Sequence, residues 1–348
     1  MDIRNWKSPC VLLCIALILA VPARSGQTPA EWPESSPARE GLNPDALGRM
    51  DRHIQAELPH LRSLLIARHG RLVFEKYYGD ASRDRLHNMQ SMTKSVSSAL
   101  VGIALRKGLI PSLDIPLVNY LSEYRSGIQD PRIGAITIRH LLTMSSGVDE
   151  MQLSFDHVFD NPVAEILKRP LLFAPGQGFK YSSPAAHLLG AVLRKATGQS
   201  VLAFAEAELF GPLGMGSVEW YADKTGLQSG GMSGLWRPRD LLKLGELYLR
   251  RGQWAGRDIV PAAYVADSVK THNTGDFYGS KVRYGYMWWI DDIAGHNTFR
   301  AAGYGGQYVT VIPDADLVVL CTSDWKKPEY PEHFALLEKS VLPAIVAK

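Results

Sequence analysis

The stretch "LRSLLIARHGRLVFEKYYG", residues 61 to 79, holds two β-branched and aromatic runs on either side of His69-Gly70, the pattern of a β-hairpin. Two strands alone make a marginal sheet in water, so this hairpin must find partners elsewhere in the chain. The next strand-like runs come only from about residue 281: "RYGYMWWI", "TFRAAG", "QYVTVIP" and "DLVVLCTS", the last two joined by a turn at Pro313-Asp314. The two ends of the chain must therefore share one sheet. Between them, from about 88 to 215, the pattern is helical, with "ITIRHLLTMSSGV" and "SSPAAHLLGAVLRKATG" as clear segments and Gly198 stopping the second. "DALGRMDRHIQAEL" reads as a helix before the hairpin, and "EHFALLEKSVLPAIVAK" closes the chain as another. The expected class is α+β: an antiparallel sheet flanked by N- and C-terminal helices, with a mostly helical part inserted. The sheet part covers about 45–87 and 240–348, the helical part about 88–239.

The first residues follow a different logic. Arg4 and Lys7 precede an apolar run from Cys10 to Val21, and "PARSG" then offers Ala23 and Ser25 at the spacing that signal peptidase reads. Residues 1–25 are expected to be a cleaved secretory signal. The run is about a dozen residues against the ~20 that span a bilayer, so no stable membrane insertion is expected after cleavage. A secreted or periplasmic location follows. Residues 26–44, rich in Pro, Ser and Glu, read as a flexible lead-in to a domain over 45–348. Without the signal, Cys321 in "DLVVLCTS" stands alone, a buried small hydrophobe with no disulfide partner and no Cys/His spacing for zinc. A formal net charge of +3, with the basic residues dispersed, argues against nucleic acid or a polybasic membrane patch. The expected partner is a small-molecule substrate, handled without cofactor or metal; the pattern is silent on oligomeric state.

Chemistry concentrates at "NMQSMTKSVSSALVGIALRKG", residues 88 to 108. Ser91 and Lys94 lie three apart and so share a helix face. A serine at a helix start also sits beside free backbone N–H groups that can stabilise an oxyanion. Lys94 could take its proton only if partial burial and a nearby cation lower the amine's pKa, while Met92, Val96, Ala99, Leu100 and Ile103 anchor the opposite face. A second Ser-x-x-Lys, Ser323 to Lys326, runs into "KKPEYPE", where prolines forbid such a helix start, and is set aside. "FKYSSPAAHLLG" places Tyr181 and Ser183 in a turn before a helix, able to aim a phenol and a hydroxyl into a cleft; Tyr181 could equally be a half-buried aromatic. In "AAGYGGQYV", Gly303, Gly305 and Gly306 would let a backbone N–H approach a ligand closely, or mark a bulge. His140 and His187 read as core histidines and Asp149 with Glu150 as a solvated loop. Trp288, Trp289 and Tyr304 suit either an acyl pocket or the core.

Ser91-Met92-Thr93-Lys94, Tyr181-Ser182-Ser183 and the glycine-rich strand together resemble the Ser-x-x-Lys, Tyr-x-Asn and Lys-Thr-Gly motifs of the penicillin-recognising serine hydrolases. The likeness is to the class C β-lactamase-like branch, which includes DD-peptidases, esterases and 6-aminohexanoate-dimer hydrolase. Further stretches similar to that branch are "ITIRHLLTMSSGV", "LFGPLGMGSVEW" and "YGYMWWI", so the resemblance covers about 45 to 345. It implies the β-lactamase/transpeptidase-like fold. It also implies Ser91 as acylated nucleophile, Lys94 as its base partner and Tyr181 as the group that protonates the leaving group and activates the deacylating water. The backbone N–H groups of Ser91 and Tyr304 would form the oxyanion hole, with Ser183, Gly303 and Gly305 binding substrate. Two departures bear on substrate. Ala301-Ala302 stand where Lys-Thr would be, removing the cation and hydroxyl that hold a β-lactam or peptide carboxylate, and Ser183 replaces the Asn. The expectation is an exported serine hydrolase cleaving an amide or ester of a small carboxylic acid. The alternatives are a β-lactamase or DD-peptidase using another cation, and a non-catalytic binding protein on the same fold.

Overall fold

The computed structural model describes residues 32–151, 155–232, 234–326 and 333–346. Its frame is one eight-stranded antiparallel sheet, built from strands β1 (Leu61–Arg68), β2 (Arg71–Tyr77), β3 (Asn273–Phe277), β4 (Ser280–Tyr284), β5 (Trp289–Ile293), β6 (His296–Gly303), β7 (Gln307–Ile312) and β8 (Leu317–Ser323). Their spatial order is β2-β1-β8-β7-β6-β5-β4-β3. The N-terminal hairpin thus pairs with the last strand, from Leu61 opposite Ser323 to Arg68 opposite Leu317. The hairpin turns at His69 (φ 51°) and Gly70 (φ 75°), the left-handed pair that a two-residue hairpin turn demands.

Side-chain alternation in β1 and β8 explains why both read as continuous apolar runs. Leu64, Ile66, Leu317, Val319 and Cys321 enter a core with the helix α1 (Pro44–Glu57) and the C-terminal helical turns, while Leu65, Ala67, Val318 and Leu320 enter the larger core on the other face. A strand covered on both faces has no polar side to alternate with. Cys321 is fully buried, which pushes its thiol up to about 12 and leaves it inert.

On the second face α2 (Thr93–Arg106) meets β6, α3 (Ser183–Thr197) packs on α2, and α4 (Pro238–Leu249) lies against β1, β7 and β8. Gly198 ends α3 in the left-handed conformation (φ 69°), its N–H bonded to the Arg194 carbonyl. α2 corrects the expectation of an apolar face opposed to a polar one, because every residue from Thr93 to Ala104 is buried. Its hydroxyls survive burial by finding partners: Ser95 donates to the Met287 carbonyl (2.7 Å), Ser97 to the Gly230 carbonyl (2.8 Å), and Ser98 bonds the Tyr264 hydroxyl (3.0 Å).

Other expectations also shift. The lead-in is fastened at two points, with residues 33–41 between them exposed or half-buried: Trp32 is 2% exposed and donates to the Gly70 carbonyl, and Leu42 is buried beside α1. Its apolar residues, outnumbered by polar ones, were enough to bind it to the sheet edge. Residues 1–25, the expected signal, lie outside the described residues. Strand β3 and its turn at Tyr278-Gly279, hidden by the polar "NTGDFYGS", extend the sheet by one strand beyond the expected set. "RYGYMWWI" is broken by a turn between β4 and β5, where Gly285 lies against the Ser268 carbonyl. The closing helix changes pitch twice, with α geometry over His333–Leu336, π over Leu337–Val341 and 3-10 over Leu342–Ala344, as Pro343 removes a helical N–H. Among the described residues no helix is long and apolar enough to cross a membrane.

α4 packs on the sheet through Gly245, where an added Cβ would lie 2.6 Å from Cγ1 of both Val309 and Val318. Gly245→Ala gains helix propensity but overfills this contact. We expect a net loss of about 1–2 kcal/mol in urea denaturation.

Candidate active site

The candidate site forms where α2 meets the end of β6. Ser91 lies in a 3-10 turn, Gln90–Met92, ahead of α2 rather than in its first α-helical turn, and is only partly buried. Gln90 takes a positive φ of 50° with its N–H held by Asn88 Oδ1 at 3.0 Å. For a residue with a Cβ that conformation costs about 1–2 kcal/mol. Neighbouring contacts sustain it: Thr93 Oγ1 donates to the Gln90 carbonyl at 2.7 Å, and Met89 N–H donates to the Gly234 carbonyl at 3.0 Å. Short strands His87–Asn88 and Gly234–Trp236 pair here, so the run-in to Ser91 is anchored by a distant segment.

One helical turn on, Lys94 is 1% exposed and its Nζ lies 3.1 Å from Ser91 Oγ, 3.3 Å from Ser183 Oγ and 2.8 Å from the Gly231 carbonyl. Burial pulls the amine down to about 8, against the raising effect of the Glu150 and Asp156 carboxylates. Gly231 can present its carbonyl because the loop lies so close to α3 that an added Cβ at Gly230 would meet the Ala186 carbonyl at 2.1 Å.

Tyr181 arrives from the turn before α3. Its ring lies 4.8 Å from Lys94 Nζ, stacks on Trp289 at 5.2 Å and meets Phe277 at 5.1 Å. Burial raises the phenol well above its ordinary value, and a hydrogen bond with Ser91 pulls partly the other way. The turn is fixed by Lys180 N–H on the Met144 carbonyl (2.9 Å) and by Asn273 Nδ2 on the carbonyls of Thr143 and Gly178. A tyrosine, a lysine and two serines from segments 90 residues apart thus share one cluster.

The glycine-rich strand end closes the cluster. An added Cβ at Gly303 would lie 2.3 Å from the Met89 carbonyl, so the end of β6 is pressed against the Ser91 turn. Gly305 (φ 73°) and Gly306 (φ 86°) turn the chain back into β7, and Gln307 Nε2 donates to the Gly305 carbonyl at 2.9 Å. Tyr304 stands between Gly303 and Gly305, 45% exposed. Ala301 is fully buried, and Arg300 before it lies among the rings of Trp289, Tyr308 and Phe334 and is ion-paired with Asp291.

Several sequence readings divide here. Trp289 belongs to the site, whereas Trp288 is core, packed between Tyr248 and Phe299. His140 is half-buried and caps a short helix by accepting the Thr137 N–H, whereas His187 is buried and pairs with Asp223 at 3.0 Å. Lys326 of the second Ser-x-x-Lys lies over the Trp325 ring, past the end of β8. The solvated loop is corrected: Asp149 faces Lys180 at 3.1 Å, but Glu150 is half-buried, with its Oε2 accepting the Ser183 N–H at 2.9 Å. Nothing in the local sequence distinguishes the two acids; only the fold turns one inward. Among the described residues no group of three or more His, Cys, Asp or Glu could hold a metal ion.

The chain is similar to known proteins in sequence and in fold. The family described as Beta-lactamase matches residues 62–339. Esterase EstB of Burkholderia gladioli is 32% identical over 176 residues, 43% of this chain and 44% of EstB, so the match spans less than half of that relative. Among solved structures, a family VIII carboxylesterase aligns with a TM-score of 0.71 at 16% identity, over 89% of this chain and 99% of the other. EstCE1, described as a hydrolase with promiscuous acyltransferase activity, gives 0.68 at 19% identity, over 89% and 98%.

Gly303→Ala tests the contact that brings strand and nucleophile turn together. Its clash is with a backbone oxygen that no side-chain rotation relieves, so we expect a loss of about 1–3 kcal/mol in thermal or urea unfolding; an unchanged midpoint would show that the two segments are not in contact. By its family match and its fold, the chain belongs to the Beta-lactamase family, among the penicillin-recognising serine hydrolases of the class C kind.

Proposed function

We propose that the chain is an exported serine hydrolase that cleaves an ester or amide of a small carboxylic acid through a covalent acyl-enzyme on Ser91. The observation that carries the reading is the buried Lys94 amine, 3.1 Å from Ser91 Oγ and drawn down to about 8. An amine so placed is neutral in a useful fraction of molecules near neutral pH and can accept the serine proton. The esterase name of the Burkholderia gladioli relative supports the same class. Export rests on the pattern of residues 1–25 and is tested by N-terminal sequencing of the mature protein.

In the proposed sequence Ser91 Oγ bonds to the substrate carbonyl carbon as its proton passes to Lys94 Nζ. The oxyanion is met by the N–H groups of Ser91 and Tyr304. The carbon to leaving-group bond then breaks, and the leaving alcohol or amine takes a proton from Lys94 through Tyr181. Water attacks the acyl carbon as its proton passes through Tyr181 to Lys94; the bond from that carbon to Ser91 Oγ then breaks, Oγ takes the proton from Lys94, and the acid departs with Ser91 restored. Ser183 and the backbone at Gly303 and Gly305 border the substrate.

The arrangement speaks against β-lactam or peptide carboxylates as the main substrate. Ala301 is buried where the family lysine would stand, and the preceding Arg300 is already occupied by Asp291 and three aromatic rings. An uncharged acyl group suits the cluster better, and the Trp289, Phe277 and Tyr181 rings offer it an apolar wall.

Intact-mass detection of an acyl adduct across a panel of esters, amides and β-lactams tests the reading. Esters or amides should give the adduct, and Ser91→Ala should remove it together with labelling by a fluorophosphonate. Lys94→Ala should slow acylation by about 100- to 10,000-fold. Labelling that persists in Ser91→Ala would sink the proposal, and efficient nitrocefin turnover would move it to the β-lactamase alternative.

The pH dependence follows from the same amine. Only neutral Lys94 can take the proton, so kcat/KM should fall about tenfold per pH unit below the amine's value of about 8. A profile flat from pH 6 to 9 would remove Lys94 from the base role.

A further inference from the structure

We propose that Glu150 and Asp156 are positioning residues, a pair of carboxylates that supplies the counter-charge for Lys94 and so sets the proton balance of the base beside Ser91. The inference deepens the acyl-enzyme reading and rests on it. Lys94 is 1% exposed, and its three hydrogen-bond partners are all neutral oxygens, of Ser91, Ser183 and Gly231. A buried ammonium with neutral partners alone is costly unless opposite charge is near.

Two segments outside the Ser-Lys-Tyr motifs provide that charge. Glu150 Oε2 accepts the Ser183 N–H at 2.9 Å and its Oε1 accepts the Met151 N–H at 3.2 Å, which fixes the carboxylate against the residue whose hydroxyl touches Lys94. Asp156, on the short helix Phe155–Val158, is fully buried, and neither of its oxygens has a hydrogen-bond partner. Such a carboxylate persists out of water only where a cation compensates it. Its Oδ1 is 3.9 Å from Nε2 of His157, itself stacked on Tyr221, and both Asp156 and Glu150 act electrostatically on Lys94. The groups in contact with Lys94 are Ser91 on its own segment, Tyr181 and Ser183 from the turn into α3, and Gly231 from the adjacent loop; Glu150 stands one hydrogen bond behind Ser183, and the charge of both acids favours the ammonium. Asp149 is turned away to Lys180.

The sign of the effect is set by charge. Each carboxylate favours the ammonium over the amine, so removing one favours the neutral base. Glu150→Gln keeps an oxygen for the Ser183 N–H and loses the charge together with the acceptor of the Met151 N–H; Asp156→Asn disturbs no hydrogen bond and carries the test if the first variant does not fold. Each should move the acid limb of kcat/KM to lower pH, by about one unit, and the double variant further. Glu150→Asp, which keeps the charge, should leave the midpoint near that of the parent. A merely structural role would lower the plateau rate and leave the midpoint in place, and unmoved midpoints in folded Glu150→Gln and Asp156→Asn would overturn the proposal. Titration of the Lys94 ammonium by NMR of lysine-labelled protein, its signal identified by loss in Lys94→Met, reads the same shift without any substrate. If that signal moves while no ester acylates Ser91, the charge pairing stands and the hydrolase reading falls. If esters are turned over and the signal does not move, the pairing falls alone.

Discussion

Burying the Lys94 ammonium is the constraint on which the arrangement of the site depends. An amine 1% exposed has to be matched on every side, and here the matching groups come from four separate stretches: the Ser91 turn, the turn before α3, the loop at Gly231, and the acids at 150 and 156. Each must be held in place by its own packing. The loop at Gly231 lies flat on α3 because Gly230 has no side chain, and the Tyr181 turn is tied by Asn273 to the start of β3. The cluster is thus an over-determined junction, which is how a strained residue such as Gln90 can persist beside it.

The sheet supplies the rigid side of that junction. β6 ends against the Met89 carbonyl, so its glycines sit next to the Ser91 turn, while β8 at the sheet centre is covered on both faces. α2 is the mechanical link. Buried along its length, with its serines bonded to Met287, Gly230 and Tyr264, it cannot rotate to take Lys94 away from Ser91 without leaving polar groups unpaired. Stability and the proposed chemistry meet in this helix, since the same burial that fixes it lowers the lysine's hold on its proton.

Much of this was legible from residue patterns. The two strand-rich ends predicted a shared sheet, and Gly198, His69-Gly70 and the Ser91 to Lys94 spacing each carried a local geometry that the structure contains. Other features were hidden for definable reasons. β3 is polar because one of its faces meets solvent, so "NTGDFYGS" lacks the apolar signal of a strand. The lead-in from Trp32 has few apolar residues, yet Trp32 and Leu42 suffice to fasten it. Glu150 looked like any acid in a loop, because nothing in its neighbours announces that the carboxylate will cap the Ser183 N–H.

By itself the sequence determined the local periodicities, the turns and the pairing of a serine with a lysine one helical turn away, because these depend on residues within a few positions of one another. Only the tertiary structure decided that Gly231 and Glu150 would join Tyr181 and Gly303 around that pair, and that Arg300 would be spent on Asp291 rather than offered to a ligand. The physical reason is desolvation. Whether an amine holds its proton, or a carboxylate counts as a partner, depends on how much water the assembled fold has removed, and no run of neighbouring residues records that.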